Sequence, residues 1–405
     1  MKNLSKEIVL SIVFNIATIL ISLSFVSYLS KNLSIEDFGN YQFILTLIAF
    51  LGIFSMGGVN IILNRNILKG KDGIFNAIFY RNYKIVLFFF FFFLLLIIIT
   101  NFFIIDSRLD LLLIALFFLP ILGLEKYEAI LYAKQEFIKV RLLSFFNTLC
   151  YVLLSIFIYS YTQNYLYIFL IMFFVKLITI VIGLIYSKRL LSFDENTINY
   201  SYEKELKDSY KLSFLSFYNV GIGLLDKLIL GFLDVHLLAI YAIGILIPLK
   251  VKDQVKLVIS ILVQKWAKEG AQNYIKYIEC YILYIVLFNI LIAFLLSYLA
   301  EFYIPILFDK EYLKSIMVVW IISFTLPFMI SEYIYQTYII TFHNTKFYRI
   351  VTYSKHILYI GLLFFLLPKY GIEGIAFAFF LRSFYSFMLN YFYFLKLKKE
   401  KYEIL

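Results

Sequence analysis

Eight basic and five acidic side chains lie inside stretches that are otherwise almost wholly apolar: Lys126, Lys176, Lys227, Lys250, Lys252, Lys256, Lys355 and Arg382, with Glu125, Glu128, Asp226, Asp253 and Glu332. Such groups can bind an oppositely charged solute, hold a proton or a cation, or pair with one another. A basic residue facing lipid at the centre of a membrane helix costs about 2.5–3.5 kcal/mol. The eight must therefore find partners, escape to an interface or face water. Lys176 and Arg382 lie about ten residues into their segments, too deep for easy escape, whereas Lys355 lies near a segment end from which it can snorkel. Lys250, Lys252 and Lys256 form the densest group. With cations in excess, the set reads as a wet, cationic lumen suited to an anion. Ordinary pairing is the competing reading. Lys250, Asp253 and Lys256 are spaced i, i+3 and i+6 for intrahelical ion pairs, and Glu125 or Glu128 can answer Lys126 or a cation on a neighbouring helix. Spacing leaves both readings open.

Other chemistry has no foothold. His236, His343 and His356 show no metal-ligand spacing, and Cys150 and Cys280 sit singly in apolar segments, so no metal site is expected. No Gly-rich phosphate loop and no Asp-x-Asp pair occurs, which argues against an ATP motor and a metal-dependent glycosyltransferase. No cofactor is expected.

The elements that position these charges follow from composition. The chain is 63% hydrophobic over 405 residues, with a mean hydropathy of +0.88. A water-soluble fold holds about 45–50% apolar residues, so lipid must be the solvent for much of this chain. Apolar segments fall near 8–29, 41–63, 83–105, 109–133, 143–161, 165–187, 212–233, 236–263, 276–300, 315–342, 350–367 and 371–395. Segments of this length in lipid must be helices, because open sheet edges would leave backbone groups unpaired. The first reads as a retained helix and not as a signal peptide. Pro120, Pro248 and Pro327 are expected to kink their helices. Gly57-Gly58 and Gly221-x-Gly223 are expected at close helix contacts.

Loop charges give the orientation. Alternate connections, together with both termini, carry 24 Lys and Arg, and the intervening ones carry five. The positive-inside rule then places both termini in the cytoplasm. The net charge of +11 reads as topology and contact with anionic membrane lipids, not as nucleic-acid binding. The longest connection divides the chain into an N-terminal lobe (1–190), a cytoplasmic linker (191–211) and a C-terminal lobe (212–405). The lobes look alike. Leu119-Pro120 precedes Glu125 as Leu326-Pro327 precedes Glu332, and Phe173-Phe174-Val175-Lys176 matches Phe379-Phe380-Leu381-Arg382. Tyr41 matches Tyr241. The expected fold class is all-α: a polytopic membrane protein with twelve transmembrane helices in two parallel six-helix pseudo-repeats around a central cavity.

Three stretches carry a family resemblance. Leu33-Ser34-Ile35-Glu36-Asp37-Phe38-Gly39-Asn40-Tyr41, followed by Gly57-Gly58 and Arg65, resembles the amino-terminal signature of polysaccharide and O-antigen flippases. Leu225-Asp226-Lys227-Leu228-Ile229-Leu230-Gly231 with Ile240-Tyr241 is similar to their segment 7–8 region, and Pro368-Lys369-Tyr370-Gly371-Ile372-Glu373-Gly374-Ile375-Ala376 to their segment 11–12 turn. The resemblance implies the multidrug/oligosaccharidyl-lipid/polysaccharide exporter fold. It also implies transfer of an undecaprenyl-pyrophosphate-linked oligosaccharide, such as an O-antigen repeat unit of lipopolysaccharide, to the periplasmic leaflet. The implied location is the bacterial cytoplasmic (inner) membrane.

On this reading Lys250, Lys252, Lys256, Lys227, Lys176 and Arg382 are the expected substrate-binding cations. Glu125, Glu332 and Asp226 are the candidates for coupling to H+ or Na+. A polysaccharide polymerase and chain-length machinery are candidate partners beside the lipid-linked oligosaccharide. The first segment carries no charge, only Asn15, Thr18, Ser22 and Ser24, unlike the basic residue that related lipid II flippases place there. Two alternatives stay open. A cation-coupled multidrug antiporter of the same fold would want acidic groups in its lumen. A membrane-embedded polymerase or acyltransferase would want an intramembrane histidine, for which His356 is the sole candidate.

Overall fold

The computed structural model describes residues 2–103, 107–192, 202–343 and 345–402, and every regular element among them is helical. Nine helices among these residues are long and apolar enough to cross a membrane. One of the nine lies within Thr345–Tyr402 and holds two spans, because the backbone breaks at Gly371 (φ 56°, ψ −135°). There the chain folds back on itself: Phe347 stacks on Tyr393, and Tyr359 meets Phe379 edge-on. A left-handed φ of this kind suits glycine, which has no Cβ to clash. Two further segments are broken into pieces: Ser107–Leu116, Phe118–Leu124 and Tyr127–Ala133 form one, and Glu203–Gly223 with Leu225–Leu233, bent by 47°, form the other. Counted this way, the helices give the twelve expected segments.

The chain divides into two compact units, Met1–Val235 and His236–Leu405. The division therefore falls after the seventh segment, not in the 191–211 connection that the sequence suggests. Residues 193–201 of that connection lie outside the described residues.

The first unit comprises α1 (Lys2–Asn32), α2 (Ile35–Leu51), a 3-10 turn (Gly52–Ser55), α3 (Gly58–Ile67), α4 (Ile74–Phe103), α5 (Ser107–Leu116), α6 (Phe118–Leu124), α7 (Tyr127–Ala133), α8 (Phe137–Thr162), α9 (Leu166–Arg189), α10 (Glu203–Gly223) and α11 (Leu225–Leu233). The Ser34-Ile35-Glu36-Asp37 run is a helix start: the Asp37 N–H donates to Ser34 Oγ at 3.1 Å, and Ser34 Oγ donates to Asp37 Oδ2 at 2.8 Å. Ser34 thus caps the helix through its hydroxyl, which the Asp37 carboxylate holds in place, and Glu36 and Asp37 complement the helix dipole. The second segment then breaks at Met56, whose φ of 61° ends the 3-10 turn. α3 packs against α10 and α7. A Cβ on Gly58 would stand 2.3 Å from the Ser213 backbone nitrogen, so this glycine allows α3 and α10 to touch along their backbones. Gly57 and Gly223 have nothing within 4 Å of such a Cβ, and Gly221 makes only ordinary contacts, so of the four expected contact glycines only Gly58 is tight.

The second unit comprises α12 (Val235–Lys268), α13 (Ala271–Leu307), a 3-10 turn (Lys310–Lys314), α14 (Ser315–Ser323), α15 (Leu326–Phe342) and α16 (Thr345–Tyr402). Its core is aromatic: Tyr335 meets Phe387, Tyr391 and Phe394, and the Tyr274 hydroxyl donates to the Ile334 carbonyl at 3.0 Å. The prolines do not act alike. Pro120 and Pro327 each lie in the first turn of a helix that follows a break, at Phe117 and at Phe324–Thr325 respectively, while Pro248 sits inside a continuous α12. Breaks at matching places support the internal repeat.

Candidate functional site

The lysines singled out as anion ligands sit on α12, within about two turns after Pro248. At 3.6 residues per turn, Lys252 and Lys256 share a face, and Lys250 lies about 160° round from Lys252. Lys256 Nζ stands 4.8 Å from the ring centroid of Tyr333 on α15. That contact holds the ammonium without cancelling its charge. Lys252 Nζ lies 3.2 Å from Asp253 Oδ1, but the carboxylate side chain is 60% exposed. A pair so open to solvent contributes little. Lys250 makes no ion pair among the described residues. The Lys250–Asp253–Lys256 pairing that the spacing permits does not form, because Asp253 turns to its neighbour Lys252.

The other candidate charges are engaged inside the two units. Lys176 on α9 pairs with Glu125 at the end of α6, Nζ to Oε2 3.0 Å. Glu332 on α15 is tied more closely: Lys355 Nζ donates to its Oε1 at 2.9 Å, and Ser386 Oγ donates to the same oxygen at 2.6 Å. The position of Lys355 near a segment end suggests a snorkelling side chain. Instead the ammonium points inward, because a carboxylate on the adjacent helix offers a full charge where the interface offers only water. Arg382 lies over the rings of Tyr359 and Phe379 at 4.9 and 5.6 Å. Asp226 is buried at the start of α11 and accepts from the Lys227 N–H at 2.9 Å, where the helix dipole favours an anion. Lys227 follows it, half-buried, in the same turn.

Two buried anchors complete the picture: the sequence marks Lys126 as an intramembrane charge but not its partner, and it gives no sign of Asp72. Lys126 is 1% exposed, and its ammonium donates to the Ser55 carbonyl at 2.9 Å. Asp72, fully buried, accepts from Lys134 Nζ at 2.6 Å and from the Ser192 N–H at 2.8 Å. Asp72 and Lys134 both fall in loop-like stretches, where hydropathy carries no sign of burial. Glu125 and Glu332 hold matching places in sequence, and each reaches the last helix of its own set: Glu125 meets Lys176 on α9, and Glu332 meets Ser386 on α16. Their counter-cations come from different positions, since Glu332 takes Lys355 and not Arg382.

Comparison with known proteins adds the family. The sequence profile of a family described as "Polysaccharide biosynthesis protein" matches residues 4–244. No curated protein matches the sequence. Among solved structures the chain is similar to the lipid II flippase MurJ in an inward closed conformation, with 16% identity and a TM-score of 0.70 over 94% of this chain and 87% of that one. It is also similar to an outward-facing multidrug resistance MATE family transporter of the MOP superfamily, with 14% identity and a TM-score of 0.62 over 97% and 96% of the two chains. A Vibrio cholerae MATE transporter in its bent form gives 14% identity and a TM-score of 0.56 over 98% of each chain. At these identities the likeness is one of fold. With more than half of its length matched by the family profile, the chain belongs to the polysaccharide biosynthesis protein family, and it shares a helical membrane fold with solved flippases and exporters.

Proposed function

We propose that this protein flips an undecaprenyl-pyrophosphate-linked oligosaccharide, the repeat unit of an O-antigen or another surface polysaccharide, from the cytoplasmic to the periplasmic leaflet of a bacterial inner membrane. The observation that carries the reading is the trio Lys250, Lys252 and Lys256: cations in the middle of a membrane helix whose charge no buried carboxylate among the described residues cancels. A diphosphate bearing sugars cannot cross hydrocarbon unaided, and such lysines offer it charge-assisted hydrogen bonds. An inside-negative potential favours outward movement of the headgroup by about 2.3 kcal/mol per charge per 100 mV. The substrate explains why these cations are kept where each costs free energy.

Both termini are placed in the cytoplasm by the loop charges. The product would be handed to a polymerase and its chain-length machinery on the far leaflet. Glu125, Glu332 and Asp226 are the carboxylates through which an H+ or Na+ gradient would act. Drug antiport is the weaker reading, because Glu125 and Glu332 already answer Lys176 and Lys355 and leave little negative charge for a cationic drug.

Deletion of the gene tests the proposal. Surface glycan should be lost, and lipid-linked oligosaccharide should accumulate in a form that only cytoplasmic-side reagents reach. Normal surface glycan in the deletion strain, or a gain of drug sensitivity in its place, would overturn it.

A further inference from the structure

One cavity of the second unit combines a long, largely apolar wall with charges at a single end. It measures about 670 Å3 and runs between α12 and α13, from Lys265, Trp266 and Glu269 beside the connecting turn to Gln254 and Ile292 at its far end. The cavity of about 500 Å3 beside α9 and the one of about 440 Å3 beside Phe324 have no charged side chain on their walls. The cavity enclosed by α3 and α7 has the reverse character, with Arg65, Lys69 and Glu128 on its wall.

The turn at Gly270, whose φ of 94° suits glycine, sends α13 back along α12. Beside the turn the two helices are held together by rings. Trp266 stacks on Tyr277 and Tyr281 at 5.6 and 6.1 Å and meets Tyr274 edge-on at 5.8 Å. Further on, the cavity lies between facing stripes, with Val258 and Leu262 on one helix and Tyr284 and Phe288 on the other. Val258, Tyr284 and Phe288 are more than half exposed, so the cavity opens sideways. Both helices are membrane spans, and what lies beside them there is hydrocarbon. From Lys265 to Gln254 the helix rises about 17 Å. That is close to half of a hydrocarbon core of about 30 Å, the depth of one leaflet.

The charged end selects the headgroup. Lys265 and Glu269 are four residues apart, a spacing that permits an ion pair, yet neither makes one among the described residues. The Glu269 carboxylate accepts instead from the Tyr277 hydroxyl. The mouth of the cavity therefore presents a cation and an anion side by side, neither of them cancelled. A purely anionic headgroup would be drawn to Lys265 and repelled by Glu269, whereas one with both a phosphate and an ammonium answers both. We propose that this cavity binds one molecule of phosphatidylethanolamine from the surrounding bilayer. Its phosphate sits on the Lys265 ammonium, and its primary ammonium donates to the Glu269 carboxylate. The half-exposed ring of Tyr281 offers the same ammonium an aromatic face. One acyl chain fills the apolar length of the cavity. A choline headgroup has no N–H to donate, and a glycerol headgroup has no positive charge, so ethanolamine is favoured over both.

Native mass spectrometry of the full chain tests the site, with phosphatidylethanolamine, phosphatidylglycerol and phosphatidylcholine of identical acyl chains added in equal amounts. The wild type should retain phosphatidylethanolamine about fivefold over each of the others. Glu269→Gln should erase the preference over phosphatidylglycerol, because the repulsion goes with the carboxylate. Lys265→Gln should weaken retention of all three, which share the phosphate. Tyr277→Phe leaves both charges in place but frees Glu269 to pair with Lys265, and it too should lower retention of phosphatidylethanolamine. Val258→Trp fills the cavity from its exposed side without touching the charges or the core, and it should reduce retention of all three lipids. Soluble phosphoethanolamine, which has no chain to seat, should not compete. Equal retention of the three lipids by the wild type would overturn the site, as would phosphatidylethanolamine retention unchanged in both Glu269→Gln and Val258→Trp. A wild-type preference for phosphatidylglycerol would also overturn it, since Lys265 would then act as an ordinary surface cation.

Discussion

The ammonium of Lys126 lies 2.9 Å from the carbonyl oxygen of Ser55, 71 residues away in sequence. The contact ties the break between α6 and α7 to the break between the 3-10 turn and α3. Each break leaves backbone groups without helical partners, and in lipid such groups must be satisfied by protein. A buried lysine that answers a free carbonyl meets that need. It also fixes the level at which both helices change direction.

Removing that tie should be felt as stability. Lys126→Met leaves the Ser55 carbonyl buried without a donor, at a cost of about 1–3 kcal/mol. The thermal midpoint of the purified protein should fall accordingly. An unchanged midpoint would mean that the bond contributes nothing.

Glu332 and Lys355 should behave as a unit. Glu332→Gln leaves a buried ammonium without its carboxylate, and breaking a buried pair in this way costs about 3–5 kcal/mol. Lys355→Met should cost a similar amount. The double variant should recover much of the loss, so that the two single effects do not add. Simple additivity in a double-mutant cycle measured by thermal unfolding would refute the pairing. Export that loses its dependence on the ion gradient in Glu332→Gln, at matched stability, would instead assign Glu332 to coupling.

The α12 lysines should matter for export but not for insertion. Lys252→Glu with Lys256→Glu should abolish surface glycan at matched membrane abundance, and the Gln versions should reduce it less. Helical geometry adds a finer expectation. After replacement of the exposed Cys150 and Cys280 by Ser, single cysteines at 252 and 256 should react alike with a water-soluble thiol reagent, and one at 250 should differ. Equal protection of all three in an active protein would remove the aqueous setting.

Neighbouring glycines should differ sharply. Gly58→Val pushes a side chain into the Ser213 and Ser209 backbone and should drive α3 from α10, with loss of membrane abundance. Gly57→Ala meets nothing within 4 Å and lies in right-handed backbone, so it should be tolerated. Equal abundance of both variants in membrane fractions would contradict the close packing of α3 on α10.

The number of spans, their alternating loop charge and the family motifs were legible in the sequence. Hydrophobicity accumulates locally along a chain, and lipid responds to that sum whatever the tertiary arrangement. The paired prolines at 120 and 327 likewise announced matching breaks, because a proline acts on its own turn of backbone. Partner choice was not legible. Glu125 sits beside Lys126 in sequence yet pairs with Lys176, while Lys126 turns away to Ser55. Lys355, placed for snorkelling, turns inward to Glu332. Nor did sequence show that α10 and α11 pack with the first unit, or that α3 and α7 enclose a polar cavity. An ion pair or a cavity is fixed by distances of a few ångströms between different helices. Those distances depend on how each helix is rotated and broken, and only tertiary packing sets that rotation.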